Sequence, residues 1–164
     1  MIIINDGGGK GKTTAAIGAA VRAAGHGLKV KFIQMIKNAN SGELEMMRKI
    51  GIEVEQCGIG FTKNGEASQH EIAAQAGLDT IRNAILNYDM VICDEINYAL
   101  KGGLIKESAI FDLMELAEER GVHLVLTGRG ATPLMINKAD IVTEMTKIKH
   151  AYDSGVKAQA GIEF

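Results

Sequence analysis

Short apolar runs alternate with longer amphipathic stretches along the chain. The runs predict strands at residues 1–5, 28–33, 52–55, 89–93, 122–126 and 141–145. Apolar positions at helical spacing predict helices at residues 12–24, 43–50, 67–86 and 107–120, and Pro133 is placed to begin a short helix. Strands that alternate with helices are typical of an α/β fold with a mostly parallel central sheet.

The composition fits one domain spanning residues 1–164 and narrows the class of function. The formal net charge is −2, like charges form no block, and aromatic residues make up 4% with no Trp, so we expect no nucleic-acid binding. Neither a basic, apolar leader nor a membrane-spanning run is apparent, which predicts a cytoplasmic protein without a membrane partner. Cys57 and Cys93 lack metal-ligand spacing and are expected to be buried thiols.

A glycine-rich segment between the first predicted strand and the first predicted helix carries the strongest chemical signal. It reads Asp6-Gly7-Gly8-Gly9-Lys10-Gly11-Lys12-Thr13-Thr14. Glycines allow successive backbone N–H groups to surround an anion, and the following helix adds its N-terminal N–H groups. Lys12 is placed to reach phosphates and the Thr13 hydroxyl to bind Mg²⁺. The segment therefore predicts a nucleoside triphosphate site, although Asp6 stands where the strict phosphate-loop pattern has its first glycine.

Two adjacent acids, Asp94 and Glu95, follow the apolar run 90–93. A carboxylate at the tip of a neighbouring strand completes the magnesium shell in phosphate-loop proteins, so this pair predicts the second half of an ATP–Mg²⁺ site. One acid could bind the metal while the other orients water or the Thr13 hydroxyl. An ordinary acidic turn at a strand end is the alternative.

These two motifs leave the acceptor of the reaction open. They suit a phosphate-loop ATPase or nucleoside kinase, in which Glu95 orients a water or a hydroxyl group, and equally a nucleotide-dependent switch with little catalysis.

Across nearly its whole length the chain resembles the P-loop ATP:cob(I)alamin adenosyltransferases, an enzyme family of P-loop NTPase-like (RecA-like) fold with three layers. The matching motifs are Gly7-Gly8-Gly9-Lys10-Gly11-Lys12-Thr13-Thr14-Ala15-Ala16, Gly25-His26-Gly27, Gln34-Met35-Ile36-Lys37, Gly58-Ile59-Gly60-Phe61, Asp94-Glu95-Ile96-Asn97-Tyr98-Ala99-Leu100, Thr127-Gly128-Arg129-Gly130-Ala131, Val142-Thr143-Glu144-Met145, Lys149-His150-Ala151, Gly155-Val156-Lys157-Ala158-Gln159 and Gly161-Ile162-Glu163.

The resemblance implies that cobalt(I) of a reduced corrinoid attacks C5′ of ATP and expels triphosphate. Lys12, the loop amides and Mg²⁺ then stabilise the departing charge. The family pattern puts Thr13 and Glu95 on the metal with Asp94 in support, and gives Arg129 a role in nucleotide binding. A homodimer and a reductase that supplies electrons are also implied, while the particular corrinoid is not.

Three departures from the family pattern bear on activity. Phe61 matches one of two aromatics that look like wedges under the corrin ring, but Lys63 replaces the usual Trp. Gly8 stands where the family usually has Asn, so a contact to nucleotide is expected to be missing or replaced by backbone. The N-terminal extension of longer members, which helps to cover their active site, has no counterpart before the first strand, so a more open site is expected.

Overall fold

The structure, a computed structural model, describes residues 1–60 and 67–162. Its strands are β1 Ile2–Asp6, β2 Val30–Gln34, β3 Glu53–Gln56, β4 Met90–Asp94, β5 His123–Thr127 and β6 Ile141–Glu144. Its helices are α1 Lys12–Gly25, α2 Gly42–Lys49, α3 Ala67–Ile85, α4 Ile96–Lys101, α5 Glu107–Arg120 and α6 Pro133–Lys138, followed by a 3₁₀ turn at Ala151–Ser154.

The six strands form one sheet in the order β3-β2-β4-β5-β1-β6, and every neighbouring pair is parallel. Side chains alternate between the two faces of the sheet, and both faces are mostly buried along β1, β2, β4 and β5. One face packs against α3, α4, α5 and α6, and the other packs against α1 and α2. The central strand β4 is buried along its whole length, as a strand covered on both sides must be. The predicted α/β class and three-layer arrangement are thus confirmed.

Five strands extend one residue beyond the apolar run that predicted them. β1 through β5 end on polar residues, namely Asp6, Gln34, Gln56, Asp94 and Thr127. The backbone ladder continues to these positions whatever side chain they carry; Gln34 and Asp94, for example, are paired in register. Because parallel strands end at the same edge, this extra residue brings polar side chains together at the carboxyl edge of the sheet.

Helix α4 is absent from the prediction. Its six residues are too few for a helical period to be read, and the preceding Glu95 has a left-handed backbone (φ 63°) that turns the chain sharply out of β4. The other predicted elements are present, with ends that differ by one or two residues. None of the described helices has the length and hydropathy needed to cross a bilayer.

Alanine substitution at two glycines tests whether backbone conformation or available space governs the effect on the free energy of unfolding. Neither has an atom within 4 Å of an added Cβ, but Gly18 lies inside helix α1 whereas Gly121 caps α5 at φ 68°. We expect Gly18→Ala to raise the free energy of unfolding by about 0.5–1 kcal/mol and Gly121→Ala to lower it by about 1 kcal/mol. Urea unfolding measures both. A shift of the same sign in the two variants would contradict this account.

Candidate active site

A cleft of about 990 Å³ lies at the carboxyl edge of the sheet. Ligands of open parallel sheets bind at this edge, where the loops after the strands converge. The segment between β1 and α1, together with the first turn of α1, forms the floor of the cleft, with Gly8, Gly9, Lys10, Gly11, Lys12, Thr13 and Thr14 in its lining. Glu95 and Arg129 line it as well. The structure therefore brings together most of the residues that the sequence singled out.

Close backbone contact with the chain after β6 explains two of the loop glycines. A Cβ on Gly7 or on Gly9 would lie 2.6 Å from the carbonyl oxygen of Met145. The Gly9 amide donates to that same oxygen at 2.6 Å. Gly7 also has a positive φ of 107°, so it makes the turn that the phosphate-loop pattern assigns to its first glycine. Asp6 can therefore remain the last residue of β1.

Lys12 is nearly buried, with 7% of its surface exposed, and its ammonium group lies across the loop. Nζ donates to the carbonyl oxygens of Gly7 at 2.9 Å and Gly9 at 2.6 Å. Burial lowers the pKa of Lys12, and Glu95 is the largest of the influences that oppose this shift. An ammonium has three donors, so one remains for a further acceptor in the cleft.

Asp94 is completely buried and connects three parts of the site. Its Oδ1 accepts from the Thr13 hydroxyl at 2.8 Å and from the Thr127 hydroxyl at 2.7 Å, and its Oδ2 accepts from Gln34 at 3.2 Å. Because the Thr13 hydroxyl gives its proton to Asp94, its oxygen keeps lone pairs for another partner. The sequence alone assigned no role to Gln34 or Thr127. Their positions at the carboxyl ends of β2 and β5 are the signal that could have found them.

Glu95 is held in a strained conformation with its side chain at the cleft. It is the one described non-glycine residue with positive φ, and its amide donates to the Thr127 hydroxyl at 3.0 Å. Burial, and secondarily Asp94, raise the pKa of Glu95, although the cations Lys37, Lys12 and Arg129 act in the opposite direction. Burial thus outweighs three positive neighbours.

Further cations and the chain after β6 complete the cleft. Arg129 is exposed on the loop after β5, and Lys37 and Lys147 also line the cleft. No role was predicted for either lysine. Lys147 pairs with Asp153 at 2.9 Å. The Lys10 ammonium donates to the carbonyl oxygen of Ile162 at 2.5 Å, which ties the phosphate loop to the chain near its end.

The predictions for Phe61 and Lys63 concern two residues that lie outside the described residues. The wedge role of Phe61 therefore stays a prediction. The family-typical His150 lies in the cleft lining together with Tyr152, and His150 Nδ1 accepts from the Tyr152 amide at 3.2 Å.

The donor set of the cleft fits a magnesium ion that arrives with phosphates. Magnesium prefers oxygen ligands and takes only one or two from protein, the rest being water and phosphate. Thr13 Oγ1 and the carboxylate of Glu95 are such oxygens at the cleft. No cluster of three or more His, Cys, Asp or Glu side chains that could hold a metal by itself occurs among residues 1–60 and 67–162.

The order of the strands, the position of the loop between β1 and α1 and the buried carboxylate at the end of β4 define a phosphate-loop protein of RecA-like fold. The flagellar accessory protein FlaH from Methanocaldococcus jannaschii has a solved structure with a TM-score of 0.55. It is 11% identical, and the match covers 87% of this chain and 69% of that one, so the likeness concerns the fold alone.

Sequence comparison identifies the family. The family model for ATP:corrinoid adenosyltransferase BtuR/CobO/CobP matches residues 1–164. Corrinoid adenosyltransferases of Pseudomonas aeruginosa and Escherichia coli K12 are 41% identical over 170 residues and 37% identical over 169. These matches cover 100% of this chain and 83% and 85% of the relatives. The chain therefore belongs to the ATP:corrinoid adenosyltransferase family, which supports adenosyl transfer over the ATPase, kinase and switch alternatives.

Adjacent glycines of the loop should respond differently to the same substitution. An added Cβ on Gly9 meets backbone at 2.6 Å, whereas one on Gly8 meets nothing within 4 Å. We expect Gly9→Ala to lower the free energy of unfolding by about 1–3 kcal/mol and to weaken ATP binding by about tenfold or more. Gly8→Ala should stay within about 0.5 kcal/mol of the parent. Thermal unfolding and ATP titration test the pair, and equal losses would contradict it.

Removing the charge of Glu95 should stabilise the fold. Because the folded-state pKa of Glu95 is raised, the charged carboxylate opposes folding at any pH above that pKa. We expect Glu95→Gln to raise the free energy of unfolding by about 0.5–2 kcal/mol at neutral pH. As pH falls through the raised pKa, the parent binds a proton on folding and the difference shrinks. Denaturant titrations across pH, with exposed Glu119→Gln as the control, measure this; a variant less stable than the parent at neutral pH would refute it.

Proposed function

We propose that this chain binds ATP with its triphosphate over the loop 7–14 and transfers the adenosyl group to the cobalt(I) of a reduced corrinoid. Cobalt supplies the electron pair for a new bond to C5′, the bond from C5′ to the triphosphate oxygen breaks, and triphosphate leaves intact with that electron pair. The observation that carries the proposal is the nearly buried Lys12 ammonium lying across the floor of a cleft lined by further cations.

Stabilisation of the leaving group is the main task of the protein in this reaction. Negative charge develops on the triphosphate oxygen as the bond to C5′ breaks, and donors already in position lower the barrier most. Lys12, the loop amides other than that of Gly9, and the N-terminus of α1 are such donors. Arg129 and Lys37 add positive charge beside them, in a cleft whose acids are Glu43, Glu95 and Asp153. A protein base is unnecessary because cobalt(I) is itself the nucleophile.

Magnesium binding is proposed at Thr13 and Glu95, with Asp94 in support. The hydrogen bond from the Thr13 hydroxyl to Asp94 favours this assignment, because it leaves the lone pairs of the hydroxyl oxygen available to a metal. Asp94 is fully buried and already accepts three hydrogen bonds, which suits support better than direct ligation. Bound magnesium would neutralise part of the triphosphate charge as it develops.

The corrinoid side of the reaction rests on the family pattern. We propose that Phe61 acts as the wedge beneath the ring and that Lys63, in place of Trp, makes activation of cobalt(II) less efficient. Gly8, in place of Asn, leaves the nucleotide contact at that position to backbone. A cytoplasmic homodimer that receives electrons from a separate reductase is also proposed. The apolar side chains of Ile141 and Val142, exposed on the edge strand β6, support self-association.

Product analysis under anaerobic conditions tests the function. With ATP and chemically reduced cobalamin we expect a carbon–cobalt product and inorganic triphosphate in equal amounts. Lys12→Ala should lower kcat/KM by about 10²–10⁴-fold, because it removes a donor at the developing charge. Lys29→Ala, next to Asp89 at the opposite edge of the sheet, should remain within about twofold of the parent.

Other products would favour the alternatives. ADP and phosphate formed without a corrinoid would indicate an ATPase, and tight ATP binding without turnover on any corrinoid would indicate a switch. Near-normal transfer by Lys12→Ala would contradict the charge role of Lys12.

A further inference from the structure

Asp6 places a carboxylate at the start of an anion-binding loop, where negative charge opposes the ligand. Its side chain is not part of the described cleft lining. Instead, Oδ1 accepts from the backbone amides of Gly130 at 2.8 Å and Ala131 at 3.1 Å. The Asn97 amide group lies 3.5 Å from the same oxygen. Two successive amides directed at one carboxylate oxygen form a backbone anion site, here occupied by the protein itself.

The segment 128–131 is fixed from its other sides as well. The Gly128 amide donates to the Asn5 carbonyl oxygen at 3.2 Å. An added Cβ on Gly128 would lie 2.8 Å from the Tyr98 nitrogen, and one on Gly130 would lie 3.0 Å from Lys101 Cβ. The segment is thus held between the end of β1 and helix α4. Arg129, in the middle of this segment, directs its side chain to the cleft.

We propose that Asp6 is a positioning residue, which fixes the backbone immediately after Arg129, at Gly130 and Ala131, and thereby holds the guanidinium group at the triphosphate. Arg129 has an exposed, flexible side chain, so much of its conformational freedom must be lost when it binds an anion. A rigid backbone reduces that loss, because fewer bonds remain to be ordered. The inference rests on the proposed role of Arg129 in binding triphosphate.

A second route from Asp6 to the reaction must be separated from this one. Burial lowers the pKa of Lys12, and Asp6 is among the carboxylates that oppose that shift. Asp6 could therefore act through its charge on Lys12. Asp6→Asn distinguishes the two routes, because the amide keeps an oxygen acceptor for residues 130 and 131 but removes the charge.

A double-mutant cycle tests the coupling between Asp6 and Arg129. We expect Arg129→Ala to lower kcat/KM for ATP by about 10–100-fold and Asp6→Ala to lower it by about tenfold. The double variant should match Arg129→Ala within about twofold, since Asp6 has nothing left to position. If the double variant instead loses kcat/KM by the product of the two single losses, the proposal is overturned. Normal activity of Arg129→Ala would instead refute the role of Arg129 in the proposed function, while triphosphate formation by the parent would remain unaffected.

Two further measurements complete the test. Asp6→Asn should retain about a third or more of parental activity; a loss as large as that of Asp6→Ala would assign the effect to charge and overturn the proposal. In Asp6→Ala, amide exchange at Gly130 and Ala131 should accelerate by about tenfold while β4 stays protected, and unchanged exchange would also overturn it. If Asp6→Ala does not fold, Asp6→Ser, whose hydroxyl is shorter than the carboxylate, replaces it in both experiments.

Discussion

The active site depends on one buried carboxylate. Asp94 has no exposed surface, and such a group is tolerated in a protein interior only when hydrogen bonds replace its water. Those bonds come from three different elements: Thr13 at the start of α1, Gln34 at the end of β2 and Thr127 at the end of β5. The Asp94 carboxylate therefore sets the distances from the start of α1 to the ends of β2 and β5. Loss of any one donor would leave the charge poorly compensated and would disturb the other two.

Apolar periodicity accounts for the layers of this fold but not for its chemistry. β4 could be predicted because four of its five residues are apolar. Helix α5 could be predicted from apolar residues at helical spacing, namely Ile110, Phe111, Met114, Leu116 and Ala117. The last residue of each of the first five strands is polar and escapes such a pattern. Asp94 could be predicted because it stands beside a second acid at the end of an apolar run, in a chain that also carries a phosphate-loop segment. For Gln34 and Thr127 the sequence offers only their positions at the ends of predicted strands, since their hydrogen bonds to Asp94 exist only once the strands lie side by side.

Several features of the site oppose folding and are tolerated for function. Lys12 is an ammonium with a pKa lowered mainly by burial, and Glu95 is a carboxylate with a pKa raised mainly by burial. Glu95 also has a backbone conformation that non-glycine residues rarely adopt. The buried charges of Lys12 and Glu95 are unfavourable in the folded chain alone. They become favourable when an anion and a cation enter the cleft. Because these unfavourable features are already present in the folded chain, the site is formed before ATP binds. The protein then has little left to rearrange when ATP enters.

The contact between Gly9 and Met145 ties the phosphate loop to the most weakly supported strand of the sheet. β6 has a neighbour on one side only, and all four of its side chains are exposed, whereas the loop it supports must keep a rigid shape. Edge strands of this kind open at a lower free energy than the core. Local melting of the sheet margin would therefore abolish affinity for nucleotide while the interior stayed intact. Conversely, nucleotide binding would be thermodynamically linked to the folded state of that edge, so bound nucleotide would stabilise the pairing of β6 with the rest of the sheet.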